Sequence, residues 1–201
     1  MSSSLWDTLK QSFRSWTGMI LPETMRGLAL EQLGRLAEPT GLSSQAYVHE
    51  LGHRPEQRQA LLDRLGLGTT WFMRDQPGLR SLMDALVTNT PRDQPIWIWS
   101  VGCSSGEEPY SLAMAMIENG LTARILATDL NRDALRRAER GCYPARAVSR
   151  LPDEWQRRYF NAIKRGWVQI DEAIRRMVTF TVHNFVETPD IPTGWHRFNA
   201  V

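Results

Sequence analysis

Between Trp97 and Ser111 the chain reads WIWSVGCSSGEEPYS: an apolar run, a glycine-bracketed polar turn, two carboxylates and a proline. The apolar-periodic stretch Leu112 to Ile117 follows. Residue types in this order describe a buried strand, a tight loop and a helix start. Such an arrangement brings backbone N–H groups and a carboxylate to a small ligand at the carboxyl end of a strand. Gly102 and Gly106 let the backbone turn and approach that ligand closely. Glu108 has two readings, a charge beside the helix N-terminal dipole or a ligand contact. Pro109 fits best as the first helical residue, which makes Glu108 the boundary residue. Asp129 closes a second apolar run, Arg124 to Thr128, 23 positions past Gly106. An acidic residue ending the second strand of a nucleotide-binding βαβ unit takes ribose hydroxyls; the alternative is a cap for the stretch Arg132 to Arg140. The chemistry implied is recognition of a nucleoside-containing cofactor.

The elements that must position these residues change character along the chain. Leu5 to Trp16, Glu23 to Leu36 and Gln57 to Leu65 carry apolar residues at three- and four-residue spacings and are predicted helices. Ser43/Ser44 is a helix start, Gly41 a stop, and Gly66-Leu67-Gly68 a break. Asp75 to Val87 resumes as a helix with Pro77 in its first turn, and residues 91–95 form a polar turn. After Pro95 the pattern alternates strand and helix, the signature of a parallel sheet with crossover helices. Gly141 to Pro152 reads as a loop and Leu151 to Phe160 as a short helix. Trp167 to Ile170 and Val178 to Val182 alternate as strands.

The motifs GCSSGEEPYSLAMAM, ATDLNRDALRRAERGCY, LPDEWQRRYF and VTFTVHNF, preceded by TTWFMRD, resemble the CheR-type chemoreceptor methyltransferases in order and spacing. The resemblance is sharpest from Thr69 to Phe185. It implies an α/β protein: an all-α N-terminal domain with linker over 1–75, then an incomplete Rossmann-like methyltransferase domain over 76–201. The strand pair near 166–183 would form a small antiparallel insertion. The implied activity is transfer of a methyl group from S-adenosylmethionine to glutamate side chains of a methyl-accepting chemoreceptor, leaving S-adenosylhomocysteine. Its partners would be the receptor's cytoplasmic helices. Thr70 and Arg74 match the family's linker contacts to the cofactor and its reacting end, with Arg74 the implied catalytic residue. A guanidinium there can hold a carboxylate, the alternative being a surface ion pair with Asp75 or Asp84. Gly102, Glu108 and Asp129 match the cofactor loop and ribose positions. Asn184 and Phe185 match an Asn-Leu pair beside the adenine. Gly68 stands where the family has asparagine. In the family, the strand beginning near Phe198 runs beside Ile96 to Val101 and continues into further strands. An inactive cofactor-fold or interaction module is therefore the alternative expectation for residues 1–201.

Composition sets the bounds. A length of 201 residues fits one large or two small domains, and 42% hydrophobic with 23% charged residues describes a globular chain. No apolar run reaches the ~18–20 residues of a membrane span, and the opening MSSSLWDTLKQSF lacks a signal-peptide core. A cytoplasmic location is expected. Cys103 and Cys142 are too few for a disulfide framework or zinc site, and the histidines lack metal-ligand spacing. From Arg132 to Arg176 twelve Lys/Arg face six Asp/Glu, either solvated helix faces or a surface for an acidic partner. No nucleic-acid module accompanies that charge.

A rival motif is present. Gly102-Cys103-Ser104-Ser105-Gly106 satisfies the G-x-S-x-G nucleophile elbow, with Asp129, Asp153 or Asp171 and then His183 or His196 in hydrolase order. The helical first half argues against it. So do the paired glutamates, which put negative charge where an oxyanion needs stabilising.

Overall fold

The computed structural model describes residues 4–66, 68–91, 94–195 and 197–201. Leu67, the middle of the glycine break, Arg92 and Asp93 of the polar turn, and His196 of the hydrolase reading lie outside the described residues. The chain divides into two compact units, 1–67 with 183–192, and 68–182 with 193–201.

The first unit is helical. Helix α1 (Leu5–Thr17) begins where Ser4 Oγ accepts the N–H of Asp7 and ends at Gly18, whose positive φ turns its N–H back to the Arg14 carbonyl. Trp6, Leu9, Phe13 and Trp16 bury one stripe of it. A 3₁₀ turn (Glu23–Met25) precedes α2 (Arg26–Ala37), which buries Ala29, Leu33 and Ala37. Helix α3 (Ser44–Leu51) is capped by Ser43, and α4 (Pro55–Leu65) opens on proline, whose missing N–H costs nothing at a first helical position. Tyr47, Leu51, Leu61 and Leu65 close the core.

The second unit is α/β. It runs through α5 (Gln76–Asn89), β1 (Ile96–Val101), α6 (Glu107–Glu118), β2 (Ala123–Asp129), α7 (Arg132–Arg140), β3 (Cys142–Pro144), α8 (Ala145–Val148), α9 (Asp153–Tyr159), β4 (Phe160–Lys164), β5 (Trp167–Ile170), α10 (Glu172–Arg175) and β6 (Val178–Val182). Strands β1, β2 and β6 form a parallel sheet in that order, with Val101 opposite Thr128 and Asp129 opposite Val182. Beyond β1, Ala200 bridges Ile98 in parallel, and the Trp99 N–H donates to the Ala200 carbonyl. Ile125, Leu126 and Ala127 of the central strand are fully buried, as expected of a parallel strand covered on both faces.

Two expectations change here. Val178–Val182 does not pair with Trp167–Ile170; it runs parallel to β2. Alternation identifies a strand but not its neighbour, and a fully buried β2 needs a ladder on each edge. The antiparallel sheet is instead β3-β5-β4. Its first strand, Cys142–Pro144, arises inside the stretch read as a loop. Three residues are too few to show a period, and their pairing with β5 supplies the order.

Candidate functional site

The loop between β1 and α6 is built on left-handed backbone. Gly102 (φ 72°), Ser104 (φ 49°) and Gly106 (φ 92°) all take positive φ. The N–H groups of Gly102 and Cys103 both donate to the Thr128 carbonyl, at 2.8 and 2.9 Å, which ties the loop to the end of β2. The turn at Ser104 directs its N–H to Asp129 Oδ2 at 2.8 Å, and Asp129 Oδ1 accepts the Asn131 N–H at 2.8 Å. Asp129 thus braces both strand ends. It is not the cap of α7; that is Asn131, whose side chain accepts the Ala134 N–H at 2.7 Å.

Helix α6 starts at Glu107, with Gly106 as its cap, two residues before the start expected at Pro109. A proline fits inside the first turn because N–H groups there have no helical partner. Glu108 therefore sits within the first turn, exposed, and its Oε1 accepts a hydrogen bond from Ser100 Oγ at 2.7 Å. Glu107 points the other way and is only 8% exposed. Ser105 Oγ donates to its carboxylate at 2.7 Å, and Tyr143 OH donates to the Ser105 carbonyl at 2.7 Å.

The segment before α5 packs onto this helix start. Met73 takes positive φ (57°), and its N–H donates to Ser111 Oγ at 2.9 Å, while Ser111 Oγ donates to the Glu107 carbonyl at 2.7 Å. Phe72 is buried edge-on against Tyr143 and Phe160. Anchored on both sides, the segment presents Trp71 and Arg74 outward. Arg74 Nη1 donates to the Thr69 carbonyl at 2.8 Å, and its guanidinium lies 5.6 Å from the Trp71 ring centroid. Those contacts replace the ion pair with Asp75 or Asp84 held open above; Asp75 instead caps α5 through the Gly78 N–H.

A cleft of about 510 Å³ lies between the segment before α5, α5, β1, the start of α6, and Ala200 and Val201, within the range of small-molecule sites. Thr70, Arg74 and Glu108 line it together, with Ser100, Val101 and Ser111. Gly102 follows directly on Val101, and a Cβ built there would meet no atom within 4 Å, so the space before that turn is open. Asp129 stands at the neighbouring strand end. Asn184 and Phe185 belong to the helical unit, where Asn184 Nδ2 donates to the Trp16 carbonyl at 2.8 Å and Phe185 meets His183 edge-on. At Gly68 a Cβ would lie 3.2 Å from Ser104 Oγ, so a side chain there requires the serine hydroxyl to give way by a few tenths of an ångström. Sequence reasoning missed Ser100, Ser111 and Met73. The two serines carried a signal: one hydroxyl at the end of an apolar strand, one four residues after Glu107. Met73 carried none.

The electrostatics weigh against nucleophilic chemistry in the loop. Burial, then the Asp129 carboxylate, pushes the Cys103 thiol well above its ordinary range, so it is not a thiolate. Ser104 has the backbone twist of an elbow, but its N–H is committed to a carboxylate.

Glu107 carries a pH signature. Burial raises its pKa above the usual carboxylate value, opposed by the Ser105 hydroxyl. Below the ordinary glutamate pKa both folded and unfolded forms are protonated, and burial of the group costs little. As pH rises through the window up to the raised folded value, the unfolded chain releases its proton first and stability falls. Glu107→Gln keeps an acceptor for Ser105 and removes the charge. Its stability relative to wild type should therefore improve as pH rises above the ordinary glutamate pKa, read from urea midpoints at a series of pH values. A wild-type-to-variant difference independent of pH would show that Glu107 is not held in this way.

Comparison with known proteins agrees with the geometry. The family profile described as CheR methyltransferase, SAM binding domain, matches residues 68–195. Chemotaxis protein methyltransferase 2 of Vibrio cholerae is 34% identical over 137 residues, 64% of this chain and 48% of the relative. Chemotaxis protein methyltransferase 2 of Pseudomonas aeruginosa is 29% identical over 179 residues, 85% of this chain and 64% of the relative. Chemotaxis protein methyltransferase 1 of Pseudomonas aeruginosa is 31% identical over 188 residues, 85% and 68%. The chain thus spans about half to two thirds of the length of these relatives.

Proposed function

The chain belongs to the CheR methyltransferase family, and from that premise we propose that the protein transfers a methyl group from S-adenosylmethionine to glutamate side chains on the cytoplasmic helices of a chemoreceptor. The observation that carries this reading is the gathering of Thr70, Arg74 and Glu108 in one cleft at the carboxyl end of a parallel strand. Open space before Gly102 and the carboxylate of Asp129 at the next strand end suit a nucleoside-bearing ligand. Among the described residues no helix is long and apolar enough to cross a membrane; a cytoplasmic site of action is part of the proposal.

When bound, S-adenosylmethionine supplies a methyl group activated on a sulfonium. Asp129 accepts ribose hydroxyls; each of its oxygens takes one backbone N–H and keeps a second lone pair for the ligand. Glu108, steadied by Ser100, and Thr70 contribute polar contacts at the cleft rim. Arg74, in cation–π contact with Trp71 and tied to Thr69, holds a carboxylate in a fixed orientation. A glutamate acceptor is already ionised at neutral pH, so no general base is required. Alignment and exclusion of water are the tasks left to the protein.

The test uses methyl-labelled S-adenosylmethionine and a receptor cytoplasmic fragment. Base-labile label is expected on the fragment and is lost when its acceptor glutamates become alanine. Absence of label on any glutamate-bearing fragment would overturn the reading. Separately, Asp129→Ala should weaken S-adenosylhomocysteine binding by roughly 1–3 kcal/mol, through lost charge-assisted hydrogen bonds. Unchanged affinity by calorimetry would remove Asp129 from the site.

A further inference from the structure

A second cavity, of about 350 Å³, adjoins the cofactor cleft. Trp71, Met73 and Arg74 line both, so these side chains form the wall between them. Across the second cavity stands Arg150, and no carboxylate is among the described residues lining it. Arg150 is exposed, but its backbone is fixed. The next residue, Leu151, is buried in the same core as Phe72, and its N–H donates to the Val148 carbonyl. Gln156 Nε2 donates to the Leu151 carbonyl at 2.8 Å. Two arginines therefore line one small space, one of them shared with the cofactor cleft.

We propose that this second cavity receives an acidic side chain flanking the methyl acceptor on the incoming protein segment, and that Arg150 is the specificity residue that recognises it. The inference rests on the methyl transfer proposed above. The accepting carboxylate must meet the methyl group directly, inside the cofactor cleft; a neighbouring side chain of the same segment then reaches the second cavity, which among the described residues shares Trp71, Met73 and Arg74 with the cleft. Arg150 offers a planar donor fork to a carboxylate beside the one held by Arg74. It acts on binding of the acceptor and not on the transferred methyl.

Steady-state methyl transfer to a receptor fragment tests this. Arg150→Glu should raise KM for the fragment by at least about tenfold, with kcat changed less than about threefold. Affinity for S-adenosylhomocysteine should be unaltered, and Arg150→Lys, which keeps the charge without the fork, should recover only part of the loss. Arg157→Glu, an exposed charge outside the cavity lining, controls for general surface charge. An unchanged KM in Arg150→Glu, or an equal loss in Arg157→Glu, overturns the proposal. A second arm measures anisotropy of a fluorescein-labelled, glutamate-rich helical peptide with S-adenosylhomocysteine present. Binding by wild type that weakens about tenfold in Arg150→Glu supports the pocket even if no label is transferred. Equal binding by both forms, or none by wild type, overturns it. Failed transfer with peptide binding intact strikes only the catalytic reading.

Discussion

Arg74→Ala is expected to lower methyl transfer by about two to three orders of magnitude while changing S-adenosylhomocysteine affinity far less. The guanidinium is held by its bond to the Thr69 carbonyl and lies in cation–π contact with Trp71. It lines the cofactor cleft and the neighbouring cavity alike. A group so fixed costs no reorganisation when it receives a carboxylate. Arg74→Lys keeps the charge but loses the fork, so a loss of roughly tenfold to a hundredfold should remain. The loss should appear in kcat more than in cofactor binding, as for a contact made chiefly in the transition state. Full activity in either variant would reduce Arg74 to a brace for the Thr69–Asp75 turn.

The parts of this architecture that were legible in the sequence are those with a local cause. An apolar run flanked by glycines is a strand and loop wherever it occurs, so β1, the Gly102–Gly106 turn and β2 ending at Asp129 were readable. The helices of the first unit follow from apolar stripes such as Trp6, Leu9, Phe13 and Trp16. What escaped depends on partners distant in sequence. Nothing in VTFTV says that it lies beside β2 and not beside WVQI, because alternation carries no address. Nothing in WFM requires a left-handed methionine; that backbone is imposed by Ser111, 38 residues away.

The same division runs through the site. Glu107 and Glu108 are adjacent and chemically alike, yet one is buried beneath Ser105 and the other lies at the cleft rim. Successive helical residues point about 100° apart, so adjacent carboxylates on a helix meet different surroundings. The sequence singled out Glu108 as the boundary residue and assigned Glu107 no surroundings of its own. The burial of Glu107 needed the exact helix start, and Gly106 as the cap moved that start upstream of Pro109.

Gly106 is also a place where a single methyl group should damage folding. Its φ of 92° is strained for any L side chain, and a Cβ there would sit 2.8 Å from Ala138 Cβ and 3.2 Å from Tyr143 OH. The backbone term alone is about 1–2 kcal/mol. Overpacking against a buried alanine on α7 adds about 1–3 kcal/mol, because Ala138 is held by the helix and Tyr143 by its bond to Ser105. Gly106→Ala should therefore destabilise the α/β unit by roughly 2–5 kcal/mol, read from the urea midpoint of tryptophan fluorescence. Ala138→Gly separates the two causes. Added to Gly106→Ala, it should recover the packing part while the φ cost persists, giving a coupling of about 1–2 kcal/mol in a double-mutant cycle. A Gly106→Ala protein as stable as wild type would mean that α6 and α7 do not approach as closely as described, and that the loop does not need its left-handed cap.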